Sequence, residues 1–284
     1  MTAIERRFRA FDGVEIAFTD HPGPPGSHLP ALVCLPGLTR NAKDFADLAR
    51  RHAPHRRVIL PDYRGRGRSA RAPSAAAYGP TQHIEDARHL LAVAGIERAV
   101  LIGTSFGGLL AMAVTVAVPN IIAGVVMNDI GPTFGGDGVA NIRAFVVAPP
   151  RPADWDEATT ILRRRFPGMP ARDDAGWRKI AEGTWAAGAD GRLEPAWDPA
   201  IVTLMDAGAD APDPWVLFAG LAQVPLLVLR GALSDVLMPE TVAAMAERHP
   251  RLTHVEVADV GHTPALDEPD AEPALDDFLD QFTD

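Results

Sequence analysis

Short aliphatic runs recur along this chain, each ending at a glycine or proline and each followed by apolar residues at helical spacing. Leu32-Val-Cys-Leu35 runs into Pro36-Gly37, and residues 44–51 read as a helix with Phe45, Leu48 and Ala49 on one face. The same rhythm returns at 57–60, 99–102, 123–127, 225–229 and 254–257, with helices predicted over 81–94, 239–248 and 270–282. Strands that are apolar throughout are covered on both faces, so the pattern predicts a parallel sheet between two helical layers. Upstream, residues 8–12 and 14–19 flank the turn dipeptide Asp12-Gly13, which predicts an antiparallel hairpin at the N-terminal edge. The fold class is therefore α/β, a mostly parallel doubly wound sheet with an antiparallel N-terminal edge.

The rhythm stops between Gly131 and Gly220. This stretch shows no clear strand, short helical patterns over 158–166 and 175–185, and all five tryptophans, at 155, 177, 185, 197 and 215. An unstructured loop of that length does not belong in a compact domain. The expectation is a helical cap over 131–220, lining an apolar pocket on a core made of 1–130 and 221–284.

Composition narrows the partners. With 27 Lys+Arg against 37 Asp+Glu the net charge is −10, which repels nucleic acid and anionic membrane surfaces. The longest apolar stretch, 109–118, is shorter than the ~20 residues a membrane span needs. Charges at Glu5, Arg6 and Arg7 stand where an export signal would be apolar, so the expected location is the cytoplasm. The single cysteine, Cys34, lies inside a predicted strand and reads as a small buried hydrophobe. Neither lysine, Lys43 or Lys179, follows a glycine, so there is no phosphate-binding loop. Without an H-E-x-x-H motif or a Cys/His cluster, no metal or other cofactor is expected. A homo-oligomer stays open.

Ser105 stands in Gly103-Thr-Ser-Phe-Gly107, directly after an aliphatic strand and before a helix. A sharp strand-to-helix turn exposes such a serine, and the two glycines remove side chains that would collide around it. A serine hydroxyl needs a base, and the base an orienting acid. His262, in Val260-Gly-His-Thr-Pro264, follows the last predicted strand, and Asp235, in Gly231-Ala-Leu-Ser-Asp235, follows the strand at 225–229. All three residues fall at C-terminal ends of parallel strands, where ligand crevices form. Asp129, in Asn128-Asp-Ile-Gly131, also follows a strand and is the alternative acid; Asp259 reads as a turn residue.

The order serine, acid, histidine, with Leu35-Pro-Gly-Leu38 and Asp62-Tyr-Arg-Gly-Arg-Gly-Arg-Ser69, resembles the α/β-hydrolase family in its cap-bearing bacterial form over nearly the whole chain. The resemblance implies an enzyme of the carboxylic ester hydrolase kind acting on a small molecule. Ser105 would be its nucleophile, His262 its base and Asp235 its acid, with the backbone N–H groups of Leu38 and Phe106 as the oxyanion hole. Pro36-Gly37 stands where the family often has His-Gly, a change that leaves backbone donors in place. The serine also sets the chain apart from dehalogenases and epoxide hydrolases of this fold, for which the family implies an aspartate there. An ester or lactone of a small, largely apolar substrate is the expected target. Carbon–carbon hydrolysis of dioxo acids and perhydrolase-type chemistry use the same residues. A non-catalytic ligand-binding protein on the same fold is the alternative of another class. Arg64, Arg66, Arg68 and Arg71 read as a solvated, acid-paired loop, and Arg40 as a second-ranked contact for an acidic substrate group.

Overall fold

Two hydrophobic stripes alternate along the central strands, and each is covered by its own helices. The structure, a computed structural model, describes residues 2–206 and 213–283; the part of the expected cap at 207–212 lies outside the described residues. The strands are β1 (Ile4–Arg9), β2 (Glu15–His21), β3 (Ala31–Leu35), β4 (Val58–Pro61), β5 (Ala99–Thr104), β6 (Ile122–Asn128), β7 (Trp185–Ala187), β8 (Leu193–Pro195), β9 (Leu226–Gly231) and β10 (Leu252–Val257). Eight of them form one sheet in the order β1-β2-β4-β3-β5-β6-β9-β10. β2 is antiparallel to both β1 and β4, and the remaining pairs are parallel.

The helices are α1 (Ala46–His52), α2 (Pro80–Val93), α3 (Phe106–Ala117), α4 (Gly136–Val147), α5 (Trp155–Arg165), α6 (Asp174–Thr184), α7 (Thr203–Asp206), α8 (Pro214–Ala219), α9 (Pro239–Arg248) and α10 (Ala271–Asp280). Val33, Leu101 and Val125 pack with Leu90 of α2, Val114 of α3 and Met245 of α9. Leu32, Val100 and Val126 face the other way, against Leu48 of α1 and Leu275 and Phe278 of α10. Strand alternation sends neighbouring residues to opposite faces, and both faces are dry.

The N-terminal hairpin is shifted from its expected position. β1 ends at Arg9 rather than running over 8–12, because residues 10–14 make the turn: Gly13 N–H donates to Ala10 O (2.9 Å) and Ala10 N–H to Val14 O (2.8 Å). Only Phe8 of β1 is buried, so this edge strand carries almost no apolar signal.

Residues between β6 and β9 gather α4, α5 and α6 around Phe145, Leu162, Trp177, Trp185 and Trp197. Two corrections to the sequence expectation arise here. The stretch is not without strands: β7 and β8 pair antiparallel, Trp185 opposite Pro195 and Ala187 opposite Leu193. At three residues each they are too short to show an alternating pattern. Trp215 does not join this cluster. It packs on the sheet's own core, its indole donating to Thr133 Oγ1 (2.9 Å) with the Arg248 guanidinium 4.1 Å from its ring.

α3 starts unusually close to the sheet. A Cβ on Gly107 would lie 2.6 Å from the Leu35 carbonyl carbon, and one on Gly103 2.5 Å from that of Gly107. Both obstacles are backbone, which cannot rotate aside. Gly107→Ala is expected to lower stability by about 3 kcal/mol, read as a lowered urea midpoint. An unchanged midpoint would show that the helix can retreat from β3.

Candidate active site

Ser105 joins β5 to α3 with φ 53° and ψ −119°, a strained left-handed conformation for a residue with a side chain. The strain is held by its neighbours: Ser105 N–H donates to Asn128 O (2.9 Å), and Ser105 O accepts from Gly108 N–H (2.8 Å). The side chain does not cap α3. Instead its Oγ lies 2.8 Å from His262 Nε2.

His262 follows β10 in the loop expected to carry it. Its Nδ1 lies 2.6 Å from Asp129 Oδ2. A carboxylate only accepts, so Nδ1 carries the proton and Nε2 is free to accept from the serine hydroxyl. Asp129, at the end of β6, has φ 55° and is fully buried. Its Oδ1 accepts from Gly231 N–H (2.9 Å), and its Oδ2 also accepts from the Ser234 hydroxyl (2.6 Å). Three donors thus hold a buried carboxylate that water does not reach.

The first-choice acid stands elsewhere. Asp235 is exposed and makes no hydrogen bond to His262; it lies against Gly138 at the start of α4. The cause is local. After β9 the chain turns Ser234 inward, where its hydroxyl accepts from Val236 and Leu237 N–H (both 3.2 Å), and the next side chain points away. The structure therefore joins Ser105, His262 and Asp129, the alternative acid, and leaves Asp235 in the cleft wall. Ser234 was not singled out from sequence, although it stands one residue before the favoured acid. Ser234→Ala leaves two buried N–H groups without an acceptor and is expected to cost about 1–3 kcal/mol of unfolding free energy. No change in the urea midpoint would count against that bonding.

The loop after β3 is fixed through its carbonyls. Pro36 O accepts from the Tyr63 hydroxyl (3.1 Å), Gly37 O from Arg40 N–H (3.0 Å) and Leu38 O from Arg66 Nε (2.9 Å). Leu38 N–H has no acceptor among the described residues. Phe106 opens α3, so its N–H has no partner within the helix. Arg66 is buried against Tyr63, Tyr78 and Phe106, and burial pushes its pKa down to about 10. The arginine turn is thus less solvated than expected: Arg64 is buried and bound to Asp86 (2.7 Å) and Asp12 (2.7 Å), while Arg68 pairs with Asp62 (2.8 Å).

Ser105 and His262 open into a cleft of about 770 Å³. Its lining includes Ile142, Phe145, Leu162, Phe166 and Met169 from α4, α5 and the segment after α5. Arg40 also lines the cleft, but its guanidinium is bound by Asp44 (2.8 Å to Nε) and by Ile180 O (3.2 Å) on α6. It ties α6 to the core. Among the described residues no cluster of His, Cys, Asp or Glu could hold a metal ion, and no helix is long and apolar enough to cross a membrane.

Comparison with known proteins places this chain among hydrolases. A family model described as the alpha/beta hydrolase family matches residues 32–272. The chain is 32% identical over 249 residues to a 3-hydroxybutyrate-oligomer hydrolase of Cupriavidus necator, covering 84% of each. It is 26% identical over 255 residues to a pimeloyl-[acyl-carrier protein] methyl ester esterase of Pectobacterium atrosepticum, covering 84% of this chain and 90% of that one. A crystal structure of an alpha/beta hydrolase from Novosphingobium aromaticivorans superposes with a TM-score of 0.91 at 39% identity, covering 98% of both chains.

Proposed function

The chain belongs to the alpha/beta hydrolase family, and from that premise we propose that it is a serine hydrolase of carboxylic esters, lactones included, acting on small and largely apolar substrates. The observation that carries this reading is the continuous hydrogen-bonded chain from Ser105 through His262 to buried Asp129, opening into the cleft. Ser105 Oγ attacks the ester carbonyl while His262 Nε2 takes its proton. Asp129 stabilises the imidazolium that forms and holds the ring in the reactive tautomer. The N–H groups of Leu38 and Phe106 receive the negative oxygen, the latter at the positive end of α3. His262 then returns the proton to the leaving alcohol, and water, activated by the same imidazole, releases the acid from Ser105. Names among the relatives support an ester as the bond: one is a methyl ester esterase, another a hydrolase of 3-hydroxybutyrate oligomers.

The division into a core of 1–130 and 221–284 and a cap of 131–220 is part of this proposal, with the cap closing the pocket over Ser105. Labelling the folded protein with a fluorophosphonate, beside a panel of short and long acyl esters and lactones, tests the reading. Label on Ser105 and turnover of at least one ester are expected. A folded protein that takes no label sinks it.

A further inference from the structure

We propose that the cleft is built for a substrate carrying a carboxylate, and that Arg165 is the side chain that receives it. This rests on the serine hydrolase reading above and names its substrate class.

Five cationic side chains line the cleft, and four of them are already engaged or exposed. Arg40 is held by Asp44, Arg172 by Asp267 (3.0 Å) and Lys179 by Asp47. Lys43 is exposed and donates to Glu182 O (2.9 Å). Arg165 is half-buried and has no carboxylate partner among the described residues. Its guanidinium makes one long hydrogen bond, Nη2 to Asn141 O (3.3 Å), and lies 5.6 Å from the Phe145 ring. Its Nε is buried with no acceptor among the described residues, and Nη1, which stays accessible, makes no hydrogen bond among them. A guanidinium carries five donors in a planar fork, and buried donors left unmet are costly. A carboxylate, accepting in parallel from the two Nη groups, is the ligand that fits this fork.

Position supports the assignment. Arg165 ends α5, and Asn141 of α4 braces it by donating to Arg165 O (2.8 Å). Three residues later Gly168 O accepts from Gly261 N–H (2.8 Å), next to His262. Three residues reach at most about 11 Å, so the backbone at Arg165 lies within that reach of Gly168, and Arg165, Ser105 and His262 line one cleft. Asp235 lines the same cleft but forms no ion pair with Arg165.

The test compares ethyl half-esters of the straight-chain dicarboxylic acids, succinate through suberate, with the matched neutral diethyl esters. At the best chain length the half-ester is expected to show a kcat/KM at least tenfold higher, despite being more hydrophilic. The free diacid of that length should inhibit competitively, more weakly as salt is added. Arg165→Gln should reduce the half-ester to diester ratio by about tenfold to a hundredfold, mainly through KM, and Arg165→Lys should restore part of it. The inference is overturned if no half-ester is preferred and no diacid inhibits, a comparison that needs only the wild type. It is also overturned if Arg165→Gln slows both ester classes in proportion and Asp235→Asn reverses the loss, the behaviour of a cation that merely balances Asp235. A protein that takes fluorophosphonate and cleaves diesters without charge preference sinks this inference alone. One that does neither sinks the hydrolase reading itself.

Discussion

Ser105→Ala is expected to lower kcat by about 10⁶-fold on any ester the wild type cleaves, with little change in stability. Removing a nucleophile that acts as one unit with its base abolishes nearly all that the unit supplies. What would survive is the contribution of the oxyanion donors and of binding, roughly 10³–10⁴ over water. Stability should hold because the hydroxyl's one partner in the site is His262 Nε2, while the backbone anchors of residue 105 stay in place. Alanine also bears the same left-handed backbone as serine, so the strain at φ 53° is not altered. Initial rates at saturating ester, beside thermal unfolding, measure both quantities. A variant that keeps more than a hundredth of the wild-type kcat would show that Ser105 is not the nucleophile.

Asp129→Asn should lower kcat by about 10⁴-fold, whereas Asp235→Asn should stay within about fivefold of wild type. Asp129 Oδ1 accepts from the Gly231 N–H, so an amide at 129 keeps its oxygen there and turns its NH₂ toward His262. A donor facing Nδ1 forces the ring into the other tautomer, with its proton on Nε2 and no lone pair for the serine. Ser234 would meanwhile face the same NH₂ where it now donates to a carboxylate. Asp235 holds no such position, being exposed beside Gly138. Parallel kcat measurements on the two variants decide the matter. If Asp235→Asn is the one that loses turnover, the hydrogen bond seen between His262 and Asp129 does not orient the catalytic imidazole.

These two acids show where sequence reading reaches its limit. Both follow an aliphatic strand, both precede His262, and nothing in spacing separates them. The separation comes from one turn: after β9 the hydroxyl of Ser234 bonds inward to the carboxylate of Asp129, and the next side chain is carried out to solvent. Arg66, read from the sequence as part of a solvated loop, and Arg165, not singled out there, differ in another way. Each is one arginine among many in the sequence, and each is distinguished only by what surrounds its guanidinium.

The sequence by itself determined the layered sheet, its antiparallel edge and the positions of Ser105 and His262. Those features depend on local periodicity and on turns of a few residues, which adjacent side chains specify. Tertiary structure alone decided which carboxylate meets the imidazole, that four of the five tryptophans pack with α4, α5 and α6 while Trp215 joins the core, and which arginine in the cleft is left without a carboxylate partner among the described residues. Each of those outcomes is a contact between segments far apart in the chain, set by how the strand ends and the helices between β6 and β9 are brought together.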